Sequence, residues 1–208
     1  MSKFSNNFHK VTFIKHWTES LFSFRIKRPP SFKFRSGEFV MIGLPNEEDK
    51  PILRAYSIAS PSWSEELEFY SIIVKDGPLT SKLKNIKIDD KIIMMPKSTG
   101  TLVLDALKPG KRLFLLSSGT GFAPFASLIR EPETYEKFQT VIVTHTCRTI
   151  QELSYSQEVI NESNTDEIIK EFISNKLITY HSTTREKFIN NGRITELLST
   201  NKIFRDLE

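Results

Sequence analysis

The chain has 208 residues, of which 38% are hydrophobic and 26% charged, and 29 basic against 25 acidic side chains leave a net charge of +4. These values fit a soluble globular chain of one large or two small domains and exclude a disordered or membrane-spanning one. The basic excess is too mild for nucleic acid, yet it admits a phosphate-bearing ligand or an acidic protein partner.

A single cysteine, Cys147, excludes a disulfide framework and a cysteine-based zinc site within the chain. The histidines, His9, His16, His145 and His181, have no metal-ligand spacing, so no metal site is expected. Met1–Lys10 lacks an apolar h-region and no apolar run approaches membrane length, which reads as a cytoplasmic protein without a membrane partner.

Residues 1–101 read as β-rich. Val11–Ile14 and Leu21–Ile26 alternate as strands do, and Pro29-Pro30 then breaks the chain. Gly37–Leu44 is a further strand, and Asn46–Lys50 is polar and loop-like. Arg54-Ala55-Tyr56-Ser57 follows, joining a cation, a phenol and a hydroxyl in four residues. Strand alternation would put Arg54 and Tyr56 on one face and Ala55 and Ser57 on the other. A flat conjugated ligand with a phosphate tail suits this set: Arg54 for the phosphate, Tyr56 to stack and Ser57 as a hydroxyl for a ring nitrogen. An ordinary strand with a surface Arg and a half-buried Tyr is the alternative.

Glu68–Val74 and Lys91–Met95 complete a pattern of short strands and Gly/Pro turns, the signature of a small antiparallel barrel. Between them, Asp76–Leu83 holds a Gly-Pro turn and a helix start at Thr80 or Ser81. That start is either a second phosphate clamp beside Arg54 or an ordinary N-cap.

The pattern changes at residues 101–110. Arg112–Ser117 is a continuous apolar strand of the type buried on both faces of a parallel sheet. Ser118-Gly119-Thr120-Gly121 follows, then a helix over Phe125–Arg130 with Pro124 in its first turn. Strand, Gly-x-Gly loop and helix can seat a pyrophosphate, although Pro124 replaces the third glycine of the usual fingerprint. Gln139–Thr146 and Leu177–His181 are further strands, and Leu153–Glu162 and Ile194–Ser199 are helices. Arg148, Arg185 and Arg193 lie just past strand ends or in a nearby loop, where a parallel sheet binds its ligands. His145 and Cys147 are expected to point to opposite faces, which argues against a catalytic pair.

Arg54–Ser57, Phe69–Ile72, Gly77–Ser81 and Ser118–Phe125, in this order, resemble the bacterial ferredoxin (flavodoxin)–NADP+ reductases. Thr99–Asp105, Glu131–Tyr135 and Arg148…Tyr155 extend the likeness over nearly the whole chain. The resemblance implies a six-stranded antiparallel barrel for FAD, residues 1–103, and a parallel α/β domain for NADP(H), residues 104–208. It implies that Arg54, with Ala55 beside it, pairs with the FAD pyrophosphate. Tyr56 would stack on the isoalloxazine, and Ser57 would bond near the flavin N5, where hydride arrives. Tyr70, Ile72 and Val74 would line the flavin, and Gly77, Leu79, Thr80 and Ser81 would bind the pyrophosphate. Thr120 and Gly121 would sit between flavin and nicotinamide, with Arg148, Arg185 and Arg193 on the 2′-phosphate and adenosine end. The implied partner is an acidic electron carrier, ferredoxin or flavodoxin, with Lys82, Lys84 and Lys87 near its dock.

The family continues with two more parallel strands, so the chain is expected to be truncated, with Leu113–Ser117 left as an open apolar edge. A monomer is expected if the missing strands are supplied. The alternative function is a flavin-binding fragment, or half of a split reductase, without turnover of its own. An oxygenase-system reductase is a third reading, for which one cysteine gives no iron–sulfur signature.

Overall fold

Alternating apolar residues build the first half. The computed structural model describes residues 4–45 and 50–207, so the expected loop at Asn46–Lys50 lies, except for Lys50, outside the described residues. The strands are β1 (Phe8–His16), β2 (Leu21–Lys27), β3 (Phe39–Gly43), β4 (Arg54–Ser57), β5 (Glu66–Ile72) and β6 (Lys91–Thr99), with the short helix α1 (Thr80–Leu83) between the last two. They form one antiparallel sheet in the order β4-β3-β6-β1-β2-β5. Just past β4, Ile58 bridges to Phe69 of β5, and the Ala59 N–H donates to the Glu68 carbonyl at 2.8 Å. The two end strands thereby meet and the sheet closes into a barrel, which removes its edges there.

Phe22, Phe24, Ile42, Ile58, Leu67, Phe69 and Ile92 are fully buried in the barrel core. Residues alternating with these on β2 and β5 point outward, yet Leu21 and Tyr70 are buried as well. They join a second core with Phe122, Ala126 and Tyr155 of the following layer.

That layer is a parallel sheet of β7 (Gly110–Ser118), β8 (Phe138–Cys147) and β9 (Leu177–Thr183), in the order β7-β8-β9. A 3-10 turn at Gly119–Phe122 leads from β7 into α2 (Ala123–Leu128), and α3 (Pro132–Lys137) leads back to β8. The remaining helices are α4 (Ser154–Thr165), α5 (Lys170–Ile173), α6 (Ile194–Ser199) and α7 (Lys202–Asp206). Leu113, Leu115, Val141 and Val143 pack with Leu128, Tyr135 and Val159 on one side of this sheet. On the other side Phe114 meets Phe204 edge-on at 5.8 Å.

One expectation needs correction. β7 is not buried on both faces: Leu113, Leu115 and Ser117 are buried, whereas Leu116 is 38% exposed. The strand with two covered faces is β8, buried from Val141 to Cys147, because it is central and β7 stands at the sheet edge. The edge position of β7 is the expected one. Among the described residues no helix is long and apolar enough to cross a membrane.

Phe69 is where closure and core packing coincide, lying 5.3 Å from Phe24 and 6.4 Å from Tyr56 between ring centroids. Phe69→Ala is expected to cost about 3–5 kcal/mol in urea unfolding. Ile88→Ala, at a residue that is 60% exposed, is expected to stay within about 0.5 kcal/mol.

Candidate functional site

A cleft of about 540 Å³ opens where β4 and β5 face the Gly119–Phe122 turn. Arg54, Ala55, Tyr56 and Ser57 all line it, in contrast to the two-faced division that strand alternation predicts. β4 is four residues long, and its second edge stays unpaired until Ile58, so both a face and an open edge look into the cleft. Tyr56 is largely buried, set edge-on against Phe24 and Phe69, and its hydroxyl shares a hydrogen bond with Ser71 Oγ at 3.1 Å. Burial pushes the Tyr56 hydroxyl above its ordinary pKa, more than the Ser71 bond pulls it back. Arg54 is exposed, and among the described residues its guanidinium makes one hydrogen bond, to the Leu53 carbonyl at 2.9 Å.

Tyr70, Ile72 and Val74 of the β5 segment form the floor, and Gly77, Leu79 and Thr80 one wall. The turn there is glycine-specific by space: a Cβ on Gly77 would stand 2.5 Å from Thr80 Oγ1 and 3.0 Å from the Val74 carbonyl. Thr80 does not cap α1, whose N-cap is Leu79 with no side-chain bond. Its hydroxyl instead accepts from the Val74 N–H at 3.1 Å. Ser81 stands outside the cleft lining, and its N–H donates to the Gly77 carbonyl at 3.1 Å. The fourth wall comes from the other layer, through Thr120 and Gly121.

A second cleft of about 550 Å³ lies at the carboxyl ends of β7 and β8. It is lined by Ser118, Gly119 and Thr120, by Thr146, Cys147 and Arg148, and by Thr184 and Arg193. Ile72 and Thr120 line both clefts, so the two adjoin at those residues. Arg148 donates to Glu152 through Nε at 2.8 Å and through its backbone N–H at 2.9 Å. Burial pushes the Glu152 carboxyl up, but the hydrogen bonds and charge of Arg148 outweigh it and hold the group below the usual range. Arg193 is exposed at the start of α6. Arg185 is absent from both linings; its backbone N–H donates to the Arg148 carbonyl at 2.9 Å. Twelve of the expected residues thus meet at the first cleft, Arg148 and Arg193 at the second, and Ser81 and Arg185 at neither.

The turn between the clefts is fixed by backbone chemistry. Gly119 has φ +51°, a left-handed conformation that suits glycine, although a Cβ there would meet nothing within 4 Å. His145 and Cys147 share a face, contrary to expectation, with Cys147 Sγ 3.2 Å from His145 Nε2. Residues two apart on a strand point the same way. Burial, reinforced by the charge of Glu152, pushes the Cys147 thiol up to about 12, so it is an inert thiol at neutral pH.

Sequence reasoning did not single out Ser71, Thr146 or Glu152 as site residues. The i,i+4 spacing of Arg148 and Glu152 was the one available signal. Tyr70 and Tyr155 stack with centroids 4.0 Å apart, and their buried hydroxyls have no hydrogen-bond partner among the described residues.

Residues 8–113 match the oxidoreductase FAD-binding domain family, which assigns the barrel to a class of flavin-dependent oxidoreductases. The flavodoxin/ferredoxin–NADP reductase of Rhodobacter capsulatus is 59% identical over 95% of this chain and 73% of its own length. The ferredoxin–NADP reductase of Azotobacter vinelandii is 47% identical over 97% of this chain and 78% of its own. Among solved structures, a ferredoxin NADP+ reductase from Neisseria gonorrhoeae with bound FAD and NADP superposes with a TM-score of 0.86 at 30% identity, covering 96% of this chain and 78% of that one. The chain belongs to the ferredoxin–NADP reductase family.

The Arg148–Glu152 pair has a pH signature. A depressed folded pKa contributes stability above the unfolded carboxyl value of about 4.3 and loses it as pH falls through the folded value. Glu152→Gln is therefore expected to lower the urea midpoint near neutral pH, with the gap to wild type closing as the pH drops below about 4.

Proposed function

We propose that the first cleft holds FAD, that the second holds NADP(H), and that the chain passes electrons between NADPH and ferredoxin or flavodoxin. The observation that carries this reading is that the two clefts adjoin, with Ile72 and Thr120 lining both. Hydride transfer needs the donor and acceptor rings held in contact. Each cleft falls within the roughly 300–1,000 Å³ typical of ligand sites.

The residues fit the cofactors chemically. A Cβ on Gly121 would meet nothing within 4 Å, which leaves open room at the first cleft. Tyr70 and Ile72 give the cleft floor an apolar surface that suits a flat ring. When bound, the flavin accepts a hydride and passes electrons on singly.

The protein's part is placement. Tyr56 presents a ring already braced by Phe24 and Phe69, and Ser57 offers a half-buried hydroxyl on the same wall. Arg54 has donors to spare for a pyrophosphate, and Gly77, Leu79 and Thr80 form a close-fitting wall beside it. Arg148, held in one orientation by Glu152, and Arg193 supply positive charge to the second cleft for a nucleotide phosphate. Arg185 adds charge just beyond it. Lys82, Lys84 and Lys87, on and after α1, provide a basic surface for an acidic carrier. This reading keeps the division at residues 103 and 104 and a cytoplasmic setting.

The test is the visible spectrum of the purified chain after addition of FAD, then anaerobic titration with NADPH and with NADH. Flavin bands that bleach with NADPH, and much less with NADH, are the expected result; no bound flavin would sink the reading. Arg54→Ala is expected to weaken FAD binding about tenfold to a hundredfold, the worth of one charged hydrogen bond.

A further inference from the structure

His145 lines neither cleft and has no part in the function proposed above, yet it touches both ends of the turn that separates them. It lies on β8 and is 1% exposed. Its Nε2 is 2.9 Å from the Gly119 carbonyl oxygen. A carbonyl only accepts, so Nε2 carries the proton. Burial, with a smaller repulsion from His181, lowers the pKa of the ring to about 4. The imidazole is therefore neutral at working pH, and Nδ1 is a bare acceptor.

Ser156 Oγ, 2.7 Å from Nδ1, is placed to donate to it, and His181 Nε2 lies 3.1 Å from the same oxygen. With the protons so arranged, every donor runs one way: His181 to Ser156, Ser156 to His145, His145 to Gly119. The Leu153 carbonyl, 2.9 Å from Ser156 Oγ, is the competing acceptor for the serine proton. Cys147 Sγ, 3.2 Å from Nε2, is a weak second acceptor for the imidazole proton, and Glu152 is the nearby carboxylate that acts on the ring. The ring also stacks on Phe122, with centroids 4.9 Å apart and planes 28° apart. One side chain therefore holds Gly119 by a hydrogen bond and Phe122 by its face. Between these two anchors stand Thr120, which lines both clefts, and Gly121, which lines the first.

We propose that His145 is a positioning residue for hydride transfer: as the Nε2–H tautomer, oriented by Ser156 and His181, it fixes the Gly119–Phe122 turn so that Thr120 and Gly121 hold their place at the junction of the two clefts. The inference rests on the two-cofactor reading given above. It assigns His145 no proton transfer and no contact with either ligand.

The test separates anchoring from turnover. Nitrogen NMR of the wild-type chain is expected to show His145 as the Nε2–H tautomer, with no titration between about pH 5 and 8. His145→Leu keeps side-chain bulk and removes the donor; His145→Gln keeps an N–H at the Nε2 position. The Leu variant is expected to lower backbone order parameters across Gly119–Phe122. It should also slow flavin reduction by saturating NADPH about tenfold, the worth of one neutral hydrogen bond at its upper range. Calorimetric affinity for NADP+ should change by less than about threefold, because no direct contact is lost. The Gln variant should recover most of the rate. Ser156→Ala, at a residue that lines neither cleft, should loosen the same turn.

An Nδ1–H tautomer in the wild type would overturn the proposal, as would a Gln variant no faster than the Leu variant. Unchanged turn order and rate in the Leu variant would overturn it too. Should the Leu variant fail to fold, the wild-type tautomer and the turn order of Ser156→Ala decide. A wild-type chain that binds no FAD would overturn the proposed function and with it the part in hydride transfer, whereas the anchoring of the turn is read from tautomer and turn order without the cofactor and stands or falls by itself.

Discussion

The arrangement of both clefts depends on the burial of the outer face of β2 and β5 beneath the second layer. A barrel strand ordinarily turns one face to its core and one to water. Here Leu21 and Tyr70 leave the barrel surface and pack against Phe122, Ala126 and Tyr155, so one apolar seam serves two sheets. The apolar contact supplies attraction, and a ring of polar groups at its margin supplies registration. Arg130 donates to the carbonyls of Ala59 and Ala126 and pairs with the buried Glu68 at 3.3 Å. Ser127 donates to the Ser60 carbonyl at 2.7 Å, and Glu131 accepts from Ser36 and from the Ser62 backbone. These bonds reach from α2 and its exit to the segment that closes the barrel. The segment that closes the first sheet is thereby also the one on which the second layer docks, and the turn after β7 is carried to the end of β4.

Charge is sorted around that seam. The groups at its centre, Tyr70, Tyr155, His145 and Cys147, are all pushed by burial toward their neutral forms. The cations are divided between the clefts, Arg54 at the first and Arg148 with Arg193 at the second. Neutral buried groups beside two clefts that each carry a cation suit ligands whose rings are apolar and whose tails carry phosphate. Glu152 does not spoil this distribution. It consumes part of the charge of Arg148, yet it also holds a flexible guanidinium in place, so less side-chain entropy remains to be lost when an anion arrives.

The barrel was legible because its signals are local. Alternating Phe and Ile, Gly/Pro punctuation and strand length placed the first-half strands within a few residues, and the same holds for β8, β9 and α6. The first cleft was legible for a related reason: most of its wall comes from two short stretches, Arg54–Ser57 and Tyr70–Thr80. What failed were the inferences that need a neighbour. Whether β7 or β8 is covered on both faces depends on sheet order, which an apolar run does not encode. Thr80 looked like a helix cap, but the preceding turn took its hydroxyl first. Arg148 and Arg185 stand at equivalent strand ends, and only Arg148 has a carboxylate four residues on to steer it into the cleft.

His145 was illegible for a different reason. Its sequence context, a histidine between two threonines near the end of a strand, suggests packing and nothing more. Its significance comes from three partners on separate elements: Gly119 after β7, Ser156 on α4 and, through that serine, His181 on β9. Parallel topology brings the carboxyl ends of all three strands to one side of the sheet, so a side chain on the central strand can read both neighbours at once. The seam then decides the protonation of that side chain, because a fully buried imidazole with one carbonyl acceptor has a single low-energy tautomer. The packing that joins the two layers is thus also what determines the direction of the hydrogen bonds that hold the turn between the clefts.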